Sequence, residues 1–519
     1  MTGFLAELSP TALVLLLTPI TLITYYILFA PRIEFPPKAP KQTSEQYPVV
    51  GALAYFSEKW DFYRRSSRES PSGNFSFYLG KNAVVGLAGE IGRDVFYNTK
   101  EFGISQGQAL NPRIPGPPEL PGFLGKALSL DDDEFTPIFL RFLRSILTTE
   151  RFSRDLPVLV HDAKEGLRTL ATSSSTIINP FDVLFKVIFQ LTARALCCND
   201  LADQTELLDK IIHLFLTAGT SYNPRIILFP SLMKLLSPAY WKQMSASIRM
   251  YMLVKGILDQ RKRSAKRDAD PLQHLIDQGT ADASIIQMLL TVLFAGIENS
   301  GKFAAWNLIY LSLNPKWKTQ VLDEIKAAVA KYTTDRTAPL IEQLSSLPLE
   351  AWEREFPVID MVLAETIRLQ LQGVLFRKNV GGSDIKVGDE IIPNGAYVLY
   401  HNADVHLDPS IYPDPLKWDP SRHLPGNPES KKKRTEFLGW GAGKHSCGGI
   451  RFAKFENNIA VVSFLATYDF ELCDEQGTVL KNGPEYNVNS QSFSQPDSPA
   501  YLRIWPREEI GEGLHEQCG

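Results

Sequence analysis

From Leu8 to Pro31 the chain carries no charged side chain and is rich in Leu, Ile, Thr and Tyr. The run is about as long as the roughly 20 residues that a membrane-spanning helix requires. Pro36, Pro37 and Pro40 then break every periodic pattern and predict a stiff, extended spacer. From Phe139 to Lys255 the apolar positions recur mostly at helical spacing, with polar breaks around Ser173 to Ser175 and Ser221 to Pro224, so this part predicts several stacked helices. Ala283 to Leu313 reads as one long helix, apolar on nearly all sides and ended by Pro315. Such a helix is either buried in protein or set in a membrane. Its apolar part, Ile285 to Ile297, is too short to span, and Glu298, Asn299 and Lys302 follow at once, which favours a core helix. Strand-like runs are short and fall at Phe75 to Leu87 and Val374 to Leu399, with Gly and Asn turns between them. The predicted class is mainly α with small β-sheets.

Charge refines the reading of the N-terminus. Glu7 is the only charged residue before the apolar run, while Arg32, Lys38 and Lys41 follow it, so the basic bias places the C-terminal side in the cytosol. A cleaved signal peptide fits less well, because no basic residue precedes the run and the run is long. The expected division is a membrane anchor over 1–31, a proline-rich spacer over 32–48 and one catalytic domain over 49–519. Elsewhere the balance of 54 basic against 58 acidic side chains leaves a net charge of −4, which supports no nucleic-acid partner. Five cysteines, two of them adjacent at 197 and 198, suit a reduced compartment, and no Cys-x-x-Cys pair offers a zinc ribbon.

The candidate chemistry is concentrated between Phe437 and Ala453, where the order Phe-Leu-Gly-Trp-Gly-Ala-Gly-Lys-His-Ser-Cys-Gly-Gly-Ile-Arg-Phe-Ala crowds glycines around Cys447 and then opens a helical pattern running to Tyr468. A thiolate at a helix N-terminus is favoured by the dipole and by unpaired amides, and glycines let a flat macrocycle approach. The spacing of a phosphate-binding loop is absent, since position 438 is Leu and position 445 is His. His445-x-Cys447 has no second pair nearby to complete a zinc site. Upstream, Glu365 and Arg368 are separated by three and so share one helix face, though such a pair alone is most often a solvated one. Arg422 lies in a proline-rich stretch between them and the cysteine.

Together these segments resemble the cytochrome P450 family. Trp440, Gly441, Gly443, His445, Cys447 and Gly449 fill its haem-loop pattern of aromatic, Gly, x, Gly, x, basic, x, Cys, x, Gly, with Trp440 where Phe is usual and Gly448 where an apolar side chain usually follows the cysteine. Glu365, Arg368 and Arg422 resemble its Glu, Arg, Arg cluster, which implies bidentate bonds from Arg422 beneath the haem. Ala295 to Ser300 resembles its oxygen-binding segment: Gly296 would leave room for dioxygen, Glu298 would relay protons, and Asn299 replaces the usual threonine. Asn299 with Gly301, Ala305 and Trp306 looks like the branch holding steroid 7α-hydroxylases and prostacyclin synthase.

The resemblance implies the P450 fold with an N-terminal transmembrane anchor, haem b held by the Cys447 thiolate, and propionate donors at Arg377, His445 and Arg144, the last of which could slide to Arg141 because Leu140 stands at the family's Trp position. It implies a monooxygenase of the endoplasmic-reticulum membrane, single-pass with a cytosolic catalytic domain. Such an enzyme inserts one oxygen atom into a lipophilic small molecule, with electrons from a separate NADPH-cytochrome P450 reductase. The style is that of fungal specialised metabolism, with a secondary metabolite such as a terpenoid or steroid, polyketide or alkaloid as the expected substrate class. Lys431 to Lys433 offer a docking patch for the reductase, and Phe123 and Phe229 offer pocket walls. Rival readings are a haem-thiolate isomerase or dehydratase that acts on a peroxide without reductase, a haem-binding protein with no catalysis, and a membrane-tethered helical interaction protein with no haem.

Overall fold

The computed structural model describes residues 18, 21, 32–110, 132–171, 176–220, 225–230, 236–264, 267–427, 435–485, 487–489 and 496–507. The expected anchor lies outside these residues except at positions 18 and 21, as do Phe123 and the Lys431 to Lys433 patch. Helices of ten residues or more are α1 (Lys59–Glu69), α2 (Gly89–Asn98), α3 (Asp132–Ile146), α4 (Thr149–Ala171), α5 (Pro180–Thr192), α6 (Thr205–Thr220), α7 (Pro238–Arg263), α8 (Asp282–Leu313), α9 (Pro315–Tyr332), α10 (Pro357–Gln370) and α11 (Ile450–Thr467). The strands are β1 (Phe75–Leu79), β2 (Asn82–Leu87), β3 (Phe102–Gly103), β4 (Ile177–Ile178), β5 (Val374–Asn379), β6 (Ile385–Val387), β7 (Glu390–Ile392), β8 (Tyr397–His401), β9 (Tyr468–Cys473) and β10 (Tyr501–Pro506). This is the mainly helical, small-sheet architecture that the hydrophobic pattern predicts.

The chain divides into two compact units. The first comprises 1–112, 222–241 and 374–401 and is built on a five-stranded sheet of order β1-β2-β8-β5-β3, together with the β6–β7 hairpin. Its central strand β8 is buried at all five positions, as a strand covered on both faces must be. Phe62, Phe75 and Phe77 pack edge-on or stacked over this sheet, with centroids 5.1 to 6.1 Å apart.

The second unit comprises 113–221, 242–373 and 402–519 and is helical apart from the antiparallel β4-β10-β9 sheet. Its axis is α8, which packs against α5, α10 and α11. Among the described residues α8 is the one helix apolar and long enough to cross a membrane, yet half of that stretch is buried by its neighbours. It is therefore the expected core helix, beginning at Asp282 and stopping at Leu313 before Asn314-Pro315. Local sequence sets the boundaries of its partners. Asn179 caps α5 by accepting the Phe181 N–H at 3.0 Å, with Pro180 at the first helical position. Pro357 opens α10, where Glu324 of α9 takes the place of a side-chain cap by accepting the N–H groups of Val358 (2.6 Å) and Ile359 (3.2 Å).

Candidate active site

Cys447 follows a short 3₁₀ turn, Gly443–His445, and precedes α11. Gly441 and Gly443 adopt φ of 69° and 57°, a region that side-chain-bearing residues rarely enter, so the tight return of the loop depends on them. The Cys447 N–H donates to the Trp440 carbonyl at 2.7 Å, closing the loop on itself. Trp440 and Phe437 pack on a buried cluster of Phe303 from α8, Leu363 and Ile367 from α10, and Leu371. The cysteine is solvent-accessible and unpaired. Burial of the thiol pushes its pKa up, and the N–H of Gly449 offsets only part of that rise. The helix-start environment thus does not ionise the thiol unaided, contrary to the simple dipole expectation, because desolvation outweighs one amide. A thiol so placed suits a metal cation, which would hold it as the thiolate.

The loop is anchored from below. Arg368 of α10 uses all five of its N–H donors: Nε and one Nη2 hydrogen go to the two Glu365 oxygens at 2.9 and 2.8 Å, and the other three go to the carbonyls of His406 (2.8 Å), Pro415 (2.8 Å) and Lys417 (3.2 Å). Both side chains are fully buried. Glu365 also accepts the Asp419 N–H at 3.0 Å and faces His423 Nε2 at 3.1 Å. Burial alone would raise its pKa, but the bonds from His423 and Arg368 win and hold the carboxyl below the usual range. Arg422 joins as expected, with its Nε 3.3 Å from Glu365 Oε1 and its Nη2 donating to the Asp414 carbonyl at 3.2 Å. The bidentate fork belongs to Arg368. From this cluster the path runs through the His406 ring, whose Nε2 accepts the Leu438 N–H at 3.0 Å, and through the Leu438 carbonyl, which accepts Gly441 N–H at 2.9 Å. His423 and the carbonyl-rich stretch around Pro415 were not singled out in the sequence. Single polar residues in a proline-rich loop leave no periodic signal, and the Arg422-His423 neighbourhood was the one available cue.

Helix α3 comes beside the same loop: a Cβ built on Gly448 would meet Leu143 at 3.8 Å and Leu140 at 3.9 Å. Arg144 lies one turn beyond Leu140 and so shares that face, which favours it over Arg141; both arginines are exposed. For His445 only the backbone is described. Arg377 belongs to the first unit, on β5. It is 5% exposed, its Nη1 donates to the Phe376 carbonyl at 2.9 Å, it lies over the Phe96 ring at 5.0 Å, and its Nε has no partner among the described residues. Burial pushes its pKa down and only Tyr97 opposes this. A buried cation lacking a carboxylate is costly, and an anionic group such as a propionate would relieve that cost.

On α8, Glu298 is partly exposed and forms an ion pair with Lys302 one turn on. Asn299 carries a buried side-chain oxygen with no partner among the described residues, and Ser300 is buried. Gly296 faces α5, where an added Cβ would stand 2.8 Å from Thr192 Cγ2, so its missing side chain serves helix packing.

The comparisons agree with this arrangement. The family model described as Cytochrome P450 matches residues 138–503. The chain is 32% identical over 496 residues to "Cytochrome P450 monooxygenase nsrP" of Aspergillus novofumigatus, covering 93% of each chain. It is 31% identical to "Cytochrome P450 monooxygenase AacuE" of Aspergillus aculeatus, covering 96% of this chain and 99% of the relative. In fold it is similar to "Retinoic acid bound cyanobacterial CYP120A1", with a TM-score of 0.68 at 18% identity over 92% of this chain and all of the other. Family and fold together imply haem held by a cysteine thiolate, with electrons supplied by a reductase. This chain therefore belongs to the cytochrome P450 family and is an oxygenase of it.

Proposed function

We propose that this protein is a haem-thiolate monooxygenase of fungal specialised metabolism, inserting one oxygen atom into a lipophilic small molecule with electrons from an NADPH-cytochrome P450 reductase. Residues 1–31 anchor it in the endoplasmic-reticulum membrane, 32–48 form the spacer, and 49–519 form the cytosolic catalytic domain. The observation that carries the reading is the Cys447 loop: an accessible, unpaired thiol among glycines, held through His406 by the fully bonded Arg368–Glu365 pair. Cys447 Sγ holds the iron and the Gly449 N–H donates to that sulfur. The Arg377 and Arg144 guanidiniums and the His445 ring take the propionates, and Trp440 supports the loop. When bound, the haem supplies dioxygen activation at an iron whose thiolate ligand pushes electron density toward it. The partly exposed Glu298 carboxyl takes protons from solvent and passes them along α8, where the Asn299 side-chain oxygen is a free acceptor.

The test is the absorption spectrum of the purified, dithionite-reduced protein with carbon monoxide, for the wild type and Cys447→Ser. A strongly red-shifted Soret band that the variant lacks is expected. A folded wild type with no haem band would overturn the reading. A second reading, an isomerase or dehydratase working on a peroxide, is favoured by Asn299, which offers an amide where oxygen activation ordinarily has a hydroxyl. Turnover of an organic peroxide without NADPH or reductase is the result that would select it.

A further inference from the structure

The proline-rich stretch between α10 and the Cys447 loop reverses at Asp414, which has a φ of 48°. Among the described residues it is the one position other than glycine in the left-handed region. That region drives a side chain against its own backbone, and Asp and Asn enter it at less cost than other side-chain-bearing residues. Its neighbours add to the cost. Pro413 has its φ fixed, and Pro415 crowds the residue before it and has no N–H, so no hydrogen bond can close a four-residue turn from Tyr412. The strain is therefore not repaid within the turn. The Asp414 carboxylate does not repay it either, being exposed and without a hydrogen-bond partner among the described residues.

What the reversal gains is the set of contacts around two buried arginines. The Asp414 carbonyl accepts the Lys417 N–H at 2.9 Å and Arg422 Nη2 at 3.2 Å. The Tyr412 ring, before the reversal, lies under the Arg368 guanidinium at 4.9 Å. The Pro415 and Lys417 carbonyls, after it, accept from Arg368 Nη1 at 2.8 Å and Nη2 at 3.2 Å. Tyr412 also donates its O–H to the Glu436 carbonyl at 2.9 Å, one residue before the Cys447 loop begins. A chain that ran straight on at 414 could bring one of these sides to Arg368 but not both.

We infer that Asp414 is a positioning residue for the Cys447 thiolate, and that the position requires the left-handed backbone rather than the carboxylate. It touches no reacting atom. By gathering Tyr412, Pro415 and Lys417 around Arg368 it fixes the support on which the Cys447 loop rests. The inference deepens the haem-thiolate reading and rests on it.

The experiment follows the dithionite-reduced carbon monoxide complex at one elevated temperature, as its red-shifted thiolate band converts to the unshifted band of a lost or protonated thiolate. Wild type is compared with Asp414→Gly, Asp414→Asn, Asp414→Ala and Asp414→Val, with helix content read by circular dichroism. Asp414→Gly and Asp414→Asn should convert at the wild-type rate or more slowly. Asp414→Ala should convert severalfold faster, and Asp414→Val, branched at Cβ, faster again, with helix content unchanged. Asp414→Gly and Asp414→Asn converting as fast as Asp414→Ala would assign the role to the carboxylate and overturn the inference. So would Asp414→Ala converting at the wild-type rate. Should Asp414→Val fail to fold, the comparison of Asp414→Gly with Asp414→Ala decides alone. A wild type with no red-shifted band is the separate failure of the haem-thiolate reading.

Discussion

Two glutamates buried in the same helical unit have opposite fates. Glu365 on α10 meets Arg368, Arg422 and His423 and stays ionised; Glu456 on α11 meets two hydroxyls and stays protonated. Burial pushes both pKa values in the same direction, so the partners decide. A fully bonded ion cluster is rigid and has one charge state, which suits anchoring a loop that must hold a ligand at fixed geometry. The fold thus keeps a fixed charge beneath the Cys447 loop and an uncharged carboxyl between α5, α8 and α11.

The most severe way to break this contrast is to remove the Glu365 charge. Glu365→Gln leaves Arg368 buried at 0% exposure with its bidentate partner gone, and the expected cost is about 3–5 kcal/mol, read by denaturant unfolding and accompanied by loss of haem from the purified protein. A cost below about 1 kcal/mol, the range of exposed pairs, would mean that the carbonyls of His406, Pro415 and Lys417 alone satisfy Arg368, and the anchoring argument would fail.

How far this contrast was legible in the sequence differs between its two halves. Glu365 and Arg368 were recoverable because their spacing of three places them on one face and their order relative to Arg422 and Cys447 matches a known pattern. What the order could not give was which arginine carries the fork, since that depends on carbonyls contributed by an irregular loop with no periodicity. The long core helix was readable from its apolar run, and Gly296 was noticed, but the packing against Thr192 that it permits joins segments about a hundred residues apart. Glu456 carries no comparable pattern. Its one local signal is the polar run Glu456-Asn457-Asn458 inside a largely apolar helix, all three buried, and only the tertiary structure shows that, among the described residues, two hydroxyls and no cation answer the carboxyl.

A smaller effect, and a sharper discriminator, is the sign of the pH dependence of stability. Glu365 has a folded pKa below its unfolded value of 4.5, so its contribution is present above that value and is lost as pH falls through the folded pKa. Glu456 has a folded pKa near 8 against 4.5 unfolded, so its contribution is present below 4.5 and is lost as pH rises toward 8. Glu456→Gln should therefore unfold at the same denaturant concentration as wild type in mild acid and gain on it through that window, by up to about 5 kcal/mol. A difference between variant and wild type that does not change from pH 4.5 to 8 would show that folding does not raise the Glu456 pKa, erasing the contrast.

The smallest expected stability effect comes from a third carboxyl. Glu298 is neither sealed in nor stripped of partners: its side chain is 42% exposed and pairs with Lys302 one turn along α8. An i,i+4 pair at that exposure is worth about 0.5 kcal/mol or less, so Lys302→Ala should barely move the unfolding midpoint.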